Sequence, residues 1–345
     1  MEFLAISDAA LVRAAAILCR GGLAAFPTET VYGLGGDAFN AGALAKIFAA
    51  KGRPRFDPLI VHIASIAALE KVADLSLLDG AARKKLNLLV ERLWPGPLTL
   101  ILPKQKAVPD LATSGLPTVA VRFPDHAAAQ KLITLSTGAL AAPSANPFGY
   151  LSPTRAEHVR DQLGDKVDII LDGGPSKLGV ESTVLDICGP LPRILRPGAA
   201  PKEAIEALTG PLARPEAAAG TAAAPVSPGQ LKSHYAPRTP LSAYSLEELR
   251  SLSRENADAG KGRAALLFFD GPSRDAWLAG RKGGEAAALR VLSEKGDVLE
   301  AAARLFETLH ELDRSGFSRI LAQFAPEAGL GAAINDRLRR AAFAC

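Results

Sequence analysis

Apolar side chains along the first 200 residues follow two periods, which predict alternating helices and strands. Helical spacing holds over residues 8–20, behind the cap candidates Ser7 and Asp8, and over residues 41–50, behind Asn40. Short apolar runs predict strands at residues 23–26, 59–63, 98–102, 118–122, 168–172, 182–187 and 193–196. The last three runs lie too close together for helical crossovers, so part of the sheet must be antiparallel. The pattern therefore predicts an α/β fold built on a mixed parallel and antiparallel twisted sheet with helices.

Composition divides the chain into three parts. Residues 1–200 carry the closely alternating pattern and form one predicted α/β domain. Residues 201–240 are rich in Ala, Pro and Gly, and residues 213–230 have no periodicity at all, which is typical of a linker. Residues 241–345 return to the alternating pattern and predict a smaller, Rossmann-like α/β domain.

Composition and charge narrow the class of protein. The 345 residues are 48% hydrophobic and 22% charged, with no run of eighteen apolar residues, which excludes a membrane-spanning helix and a largely disordered chain. The first residues lack a secretory pattern, and the three cysteines are far apart, so we expect a cytoplasmic protein with neither disulfides nor a protein-held metal. A net charge of +4 permits an anionic ligand without arguing for nucleic acid.

The common nucleotide-binding and hydrolase motifs are absent from the sequence. The stretch GLGG at residues 33–36 is not GxGxxG, and no GxxxxGK[ST], HExxH or GxSxG occurs. A nucleotide would therefore have to bind at a site formed by some other motif.

Four polar clusters stand at predicted strand ends or in turns. Residues 27–39 (PTETVYGLGGDAF) are expected to form a loop whose glycines leave N–H groups open to a ligand, although a turn with local threonine hydrogen bonds explains them equally well. Lys51 and Arg53 follow a helix in a loop stiffened by two prolines, which favours an anion site over cations that merely face a helix end. His62, inside an apolar strand, is more typical of a structural histidine.

The other two clusters lie in the second half of the first domain. Ser144 and Asn146 end a strand of small residues, and Ser152 is as suited to capping a helix near Thr154 as to contacting a ligand. Ser182 opens one strand and Arg196 closes the next.

The cations at element ends indicate a shared role. Lys51, Arg53, Arg122 and Arg196 together predict a basic concavity for a polyphosphate. Since no nucleophile–base pair accompanies them, catalysis would come from positioning and charge stabilisation.

The motif series resembles that of one family. The segments PTETVYGLG, KGRP with PLIVHI, TVAVR, APSAN, LSPT, ESTV and ILRPG, in this order and at similar spacing, resemble the YrdC-like family. The linker element SPGQLKSHYAP (227–237) and the trailing α/β domain resemble the long, two-domain form of the L-threonylcarbamoyladenylate synthases in that family.

The resemblance implies a nucleotidyltransferase reaction. ATP, L-threonine and bicarbonate would give threonylcarbamoyl-AMP and pyrophosphate, with Mg²⁺ arriving with ATP and no tightly bound cofactor. A separate threonylcarbamoyl transferase complex would then modify the adenosine beside the anticodon of tRNA. Weak RNA contact is compatible with this role, and no membrane is involved.

The resemblance also implies roles for individual residues. Arg122 would pair with the threonine carboxylate, and Lys51 and Arg53 would stabilise the transition state. The implied threonine contacts are Thr30, His62, Arg122, Ser182 and the backbone of Ala142. The implied ATP contacts are Arg53, Asp57, Thr118, Ser144, Asn146, Ser152, Arg196, His234 and Tyr235. Asp57 stands where many members carry Asn, and His234–Tyr235 resembles a linker element that folds over the nucleotide, so we expect a lid.

Two other functions compete with this interpretation. A non-catalytic RNA-binding module could use the same basic concavity, and it predicts salt-dependent RNA affinity without pyrophosphate release. A carbamoyltransferase of the hydrogenase-maturation type contains a related domain, but it carries zinc-binding cysteine clusters that three isolated cysteines do not supply.

Overall fold

A computed structural model describes residues 1–213, 234–255, 263–280 and 288–343. The chain forms two compact units. Unit 1 comprises Met1–Phe148, Ser152–Lys177 and Glu181–Gln230. Unit 2 comprises Gly149–Leu151, Leu178–Val180 and Leu231–Cys345. Two tripeptides from the first part of the chain therefore belong to unit 2.

Ten strands and eight helices are described in unit 1. The strands are β1 (Glu2–Ala5), β2 (Ala24–Phe26), β3 (Gly33–Asp37), β4 (Ile60–Ile63), β5 (Leu98–Pro103), β6 (Thr118–Arg122), β7 (Ala139–Ala141), β8 (Ile169–Asp172), β9 (Thr183–Asp186) and β10 (Arg193–Arg196). The helices are α1 (Asp8–Cys19), α2 (Ala41–Lys51), α3 (Leu69–Val72), α4 (Gly80–Leu93), α5 (Asp110–Thr113), α6 (Ala127–Leu135), α7 (Ala156–Leu163) and α8 (Lys202–Thr209).

The ten strands of unit 1 form one sheet, in the order β1-β8-β2-β3-β7-β4-β6-β5-β9-β10. Strand β4 pairs in parallel with β6 and antiparallel with β7, while β5 pairs in parallel with β9 and antiparallel with β6. Strands β9 and β10 form the antiparallel pair required by their short connection. The predicted mixed sheet is confirmed.

The first two helices begin where the sequence predicts. The Ser7 side chain accepts a hydrogen bond from the Ala10 amide, and Asn40 accepts from the first-turn amides of α2. Helix α2 ends at Gly52, whose φ of 62° lies in the left-handed region that glycine enters without steric cost. The chain therefore turns away directly after Lys51 and begins the loop that carries Arg53.

The expectation of a loop over residues 27–39 is wrong for its second half. Gly33–Asp37 is strand β3, paired antiparallel with β2 and with β7. Glycine has little strand propensity, so no local sequence signal marks these residues as a strand. At Gly35 an added Cβ would lie 2.7 Å from the Phe26 ring, so the packing of Phe26 against β3 leaves no room for a side chain at this position.

The expectation of a linker from residue 201 is wrong for its first residues. Lys202–Thr209 form helix α8 after Pro201, and Ile205 is fully buried in the core of unit 1. A helix of eight residues is too short to produce a clear periodic signal beside Ala- and Pro-rich sequence. Residues 214–233, including most of the SPGQLKSHY motif, lie outside the described residues.

Unit 2 contains four described strands in a parallel sheet, ordered β11-β14-β12-β13. The strands are β11 (Leu241–Tyr244), β12 (Ala264–Asp270), β13 (Ala288–Ser293) and β14 (Arg319–Gln323). The helices are α9 (Leu246–Glu255), α10 (Gly271–Ala279), α11 (Val298–Arg314) and α12 (Gly331–Ala342). Phe268 and Trp277 pack in its core. A second, smaller α/β domain with a parallel sheet is confirmed.

Among the described residues, none of the helices is both long enough and apolar enough to cross a bilayer.

Candidate active site

A row of polar side chains crosses the centre of the unit 1 sheet. His62 on β4 pairs in register with Arg122 on β6, and Arg122 pairs with Thr99 on β5. Side chains of paired residues leave the same face of a sheet, so these three lie side by side. The Thr99 hydroxyl lies 2.7 Å from the hydroxyl of Ser182, which directly precedes β9. The structure thus brings together His62, Arg122 and Ser182, three of the predicted threonine contacts.

Arg122 is buried beside an acid that sequence reasoning did not assign to the site. Its Nη2 lies 2.6 Å from Oε1 of Glu29, and both side chains are about one-twentieth exposed. Its Nε donates to the Gly96 carbonyl at 3.4 Å. Glu29 stands between Thr28 and Thr30 in the first polar cluster, so its position in PTET was the one signal that could have found it.

His62 is held without charge. Burial lowers the pKa of His62 to about 3, and the neighbouring Arg122 charge acts in the same direction. The Nδ1 atom lies 3.3 Å from the Ile60 carbonyl, and the ring meets Phe26 edge-on. At neutral pH the imidazole therefore offers hydrogen bonds and no cation.

Thr30 belongs to a tightly bonded segment. Its hydroxyl lies 2.9 Å from that of Thr28, which donates to the Val31 carbonyl at 2.7 Å. The Tyr32 amide donates to Pro153, which attaches this segment to the one carrying Ser152.

Ala142 continues the edge of β7 beyond the strand. Its amide donates to the Ile60 carbonyl at 2.9 Å. The backbone of Ala142, a predicted threonine contact, therefore lies beside β4, the strand that carries His62. Its N–H is already hydrogen-bonded to that strand.

Lys51 links helix α2 to the segment of Ser144 and Asn146. Its Nζ donates to the Ser144 carbonyl at 2.6 Å and also to the Asn146 carbonyl. Burial holds the pKa of Lys51 well below its usual range, and Arg53 adds to this effect while Asp57 and Glu181 oppose it. Lys51 thus fixes the backbone of the predicted phosphate-contacting segment.

Arg53 and Asp57 form a buried ion pair. Arg53 Nη2 lies 2.9 Å from Asp57 Oδ2, and the guanidinium also donates to the carbonyls of Asp57 and Pro58. Burial raises the pKa of the Asp57 carboxyl, while Arg53, Lys51 and Arg196 lower it. The carboxylate thus offsets one positive charge within the basic cluster formed by Lys51, Arg53 and Arg196.

Arg196 and Ser182 join the two predicted sets of contacts. Arg196 donates to the Ser182 carbonyl at 2.8 Å and to its hydroxyl at 3.2 Å. Gly198 makes this approach possible, because a Cβ there would lie 2.3 Å from the Ser182 backbone. Ser152 donates to the Glu181 carboxylate, and the N-cap of α7 is Arg155, so Ser152 does not cap that helix.

One predicted ATP contact, Thr118, lies away from these residues, and another, Asn146, lies on the segment that Lys51 holds. Thr118 begins β6, four residues before Arg122 and therefore about 13 Å away along the strand. Asn146 is buried, and its Nδ2 donates to the Pro147 carbonyl at 2.9 Å.

His234 and Tyr235 belong to unit 2. The Tyr235 ring lies 4.9 Å from the Arg337 guanidinium and 5.8 Å from the Phe306 ring. The His234 amide donates to the Arg340 carbonyl of α12 at 3.3 Å. Both residues are anchored on unit 2 by these contacts.

The charges of unit 1 suit a polyanion next to a small polar ligand. Four buried cations, Lys51, Arg53, Arg122 and Arg196, lie in unit 1, where Lys51 donates to the Ser144 carbonyl and Arg196 to the Ser182 carbonyl. Within the ranges that the structure describes, no three His, Cys, Asp or Glu side chains are placed to hold a metal ion. The buried cations and hydroxyls of unit 1 can provide positioning and charge stabilisation.

Comparison with known families matches both parts of the chain. A family model described as "Telomere recombination", which covers Sua5, YciO and YrdC proteins, matches residues 16–198. A second, described as "Threonylcarbamoyl-AMP synthase, C-terminal domain", matches residues 200–343.

Full-length relatives share this arrangement. Threonylcarbamoyl-AMP synthase of Bacillus subtilis (strain 168) is 42% identical, over 98% of this chain and 94% of that protein. The synthase of Pyrococcus abyssi is also 42% identical, over 95% of this chain and 92% of that protein. The crystal structure of P. abyssi Sua5 complexed with L-threonine superposes with a TM-score of 0.85 at 38% identity, covering 99% and 96% of the two chains. The chain therefore belongs to the threonylcarbamoyl-AMP synthase family, in its long two-domain form, and is an adenylyl-transferring enzyme.

Proposed function

We propose that this chain converts ATP, L-threonine and bicarbonate into threonylcarbamoyl-AMP and pyrophosphate. The observation that carries the proposal is the Ser182 hydroxyl, bonded to Thr99 in the row of His62 and Arg122, and also to Arg196. One residue thus joins the amino acid contacts to the phosphate contacts, which is the arrangement needed when one substrate must attack the other.

Bicarbonate takes up a proton and loses water to give carbon dioxide, and two bond-forming steps follow. The lone pair of the threonine amine forms a bond to the carbon of carbon dioxide, one carbon–oxygen π bond breaks, and the nitrogen loses a proton. An oxygen of the resulting N-carboxylate then forms a bond to the α-phosphorus of ATP, and the bond from that phosphorus to the pyrophosphate oxygen breaks. Mg²⁺ enters with ATP as part of the substrate.

The buried residues would supply orientation and charge. Arg122 would bind the threonine carboxylate, with the neutral His62 and Ser182 beside it as hydrogen-bonding groups. The remaining threonine contacts proposed are Thr30 and the backbone of Ala142.

The nucleotide side would depend on the basic cluster. Arg53 and Arg196 would meet the phosphates, and Lys51 would act both through the segment it holds and through its own charge, which the phosphates favour. The other proposed ATP contacts are Asp57, Thr118, Ser144, Asn146, Ser152, His234 and Tyr235.

The chemistry of the product indicates which class of reaction would consume it. Threonylcarbamoyl-AMP is a mixed anhydride with a good leaving group, so a separate transferase complex would consume it by attack of an adenosine amine in tRNA.

Pyrophosphate release tests the proposal. Purified full-length protein is assayed with MgATP in the presence and absence of L-threonine and bicarbonate, with L-serine as a control. We expect release that requires both threonine and bicarbonate. Release without threonine would mean a different acceptor, and RNA binding without any release would mean the binding-module function.

A further inference from the structure

Glu29 is a buried acid that the proposed reaction leaves without a role. Its side chain is 5% exposed and that of Arg122 is 4% exposed, with 2.6 Å between Oε1 and Nη2. Desolvating two charges is costly unless their remaining hydrogen-bonding capacity is met. The hydrogen-bond donors and acceptors that Glu29 and Arg122 leave unused therefore indicate which ligand groups the pair can bind.

The hydrogen bonds of this pair are incomplete on both sides. Within the residues that the structure describes, neither Glu29 oxygen accepts a hydrogen bond, and Arg122 Nη2 donates none. Their close approach is an ion pair in which the N–H is not aligned on the oxygen. A carboxylate that needs donors thus lies next to a guanidinium that needs an acceptor.

Neighbouring side chains do not meet this need. The Thr28 hydroxyl donates to the Val31 carbonyl, and the Thr30 hydroxyl is bonded to the Thr28 hydroxyl. His126 is within electrostatic reach of Glu29, but burial lowers its pKa, so at neutral pH it brings no positive charge.

We propose that Glu29 binds the ammonium group of the amino acid substrate, so that Glu29 and Arg122 together recognise its zwitterion. This inference rests on the proposed function, in which Arg122 takes the threonine carboxylate. The zwitterion supplies an acceptor to Arg122 and a charged donor to Glu29, which completes both sides of the pair. Carboxylation removes the positive charge from the nitrogen, so the contact stabilises bound threonine and its effect falls on threonine affinity.

The test compares two ligands that differ only in the ammonium group. Isothermal titration calorimetry of the full chain measures L-threonine and (R)-3-hydroxybutanoate, which keeps the carboxylate and the hydroxyl. In Glu29→Gln, threonine affinity should fall at least about tenfold, while analogue affinity changes less than about twofold. An exposed acid of the same unit provides the control, and Glu70→Gln should leave both affinities unchanged. Unchanged ATP affinity shows that the variant is folded.

Two results would overturn the proposal. One is unchanged threonine affinity in Glu29→Gln; the other is an equal loss for both ligands, which would mean that Glu29 only holds Arg122 in place. If the wild type does not bind the analogue, the ammonium is already shown to be required, and the threonine affinity of Glu29→Gln decides. A wild type that binds threonine through Glu29 but makes no threonylcarbamoyl-AMP would overturn the proposed function alone.

Discussion

The hydroxyls of Thr99 and Ser182 lie 2.7 Å apart, joining strand β5 to the residue that opens β9. Both side chains are buried, and Ser182 also receives a hydrogen bond from Arg196. The Ser182 hydroxyl, a proposed threonine contact, is therefore held by Thr99 on the side of the proposed threonine contacts and by Arg196 on the side of the proposed ATP contacts.

Replacing Thr99 by Val should loosen this junction without changing the packing volume. Loss of one buried hydrogen bond should lower the free energy of unfolding by about 1 kcal/mol. Because Ser182 would be held less firmly, we expect the threonine KM to rise more than the ATP KM. Steady-state kinetics with each substrate varied in turn measures the two constants.

Thr183→Val is the matched control. The Thr183 hydroxyl is equally buried, but it donates to the Ala200 carbonyl and accepts from the Ala200 amide, and it is hydrogen-bonded to none of His62, Arg122 and Ser182. Because two hydrogen bonds are lost, stability should fall at least as much as in Thr99→Val, with both KM values unchanged. Equal KM effects in the two variants would contradict the role assigned to the Thr99–Ser182 contact.

Arginine substitutions should separate the two substrate regions. Arg122→Gln, made together with Glu29→Gln so that no buried carboxylate is left unpaired, should raise mainly the threonine KM. Arg196→Gln should raise mainly the ATP KM, and each effect should be about 10- to 100-fold as a charge-assisted contact is lost. Arg53→Gln is made together with Asp57→Asn, since Asp57 would otherwise be a buried unpaired charge. If all variants raise both KM values alike, the assignment of the regions is wrong.

The pH dependence of stability should report the burial of His62. Its pKa is about 3 in the folded chain against an ordinary value of 6.5, so between those values the unfolded chain binds more protons. The stability is therefore complete above pH 6.5 and falls as the pH drops through this window. Between pH 7 and 4.5 the wild type should lose about 2.5 kcal/mol more than His62→Asn.

Chemical denaturation at several pH values measures this difference. The remaining titratable groups are common to both proteins, so the subtraction isolates His62. Two curves that run parallel down to pH 4.5 would mean that the histidine takes up a proton in the folded state.

Gly179→Ala should destabilise unit 2. Gly179 has a φ of 69°, and an added Cβ would lie 2.5 Å from the backbone of Ala302 and Ala303 in α11. Backbone strain together with this clash should cost about 2 to 4 kcal/mol. Thermal unfolding measures the loss.

The control for this substitution lies in the same unit. Gly316 has a φ of 70° with nothing within 4 Å of an added Cβ, so Gly316→Ala carries the strain alone, about 1 kcal/mol. Equal losses in the two variants would show that the contact with α11 has no energetic importance.

Much of the site could be predicted from the sequence because its residues stand at the ends of apolar strands. Arg122 and Ser182 stand at such ends, whereas His62 lies inside a strand and is implied only by the family resemblance; the register of the sheet brings the three together. The Glu29–Arg122 pair could not be predicted, since it depends on which strands are neighbours. Strand β3 was missed because glycine has little strand propensity, and the contact with Phe26 that excludes a side chain at Gly35 is a tertiary constraint without a local signal.

The central claim is tested most directly by following the carbon of bicarbonate. Purified protein is incubated with MgATP, L-threonine and ¹³C-bicarbonate, and the products are separated by chromatography and identified by mass spectrometry. The account predicts an AMP adduct that carries both threonine and the ¹³C atom, formed in amounts equal to pyrophosphate and absent when any one substrate is omitted. Pyrophosphate release with no labelled adduct, or an adduct without ¹³C, would contradict it.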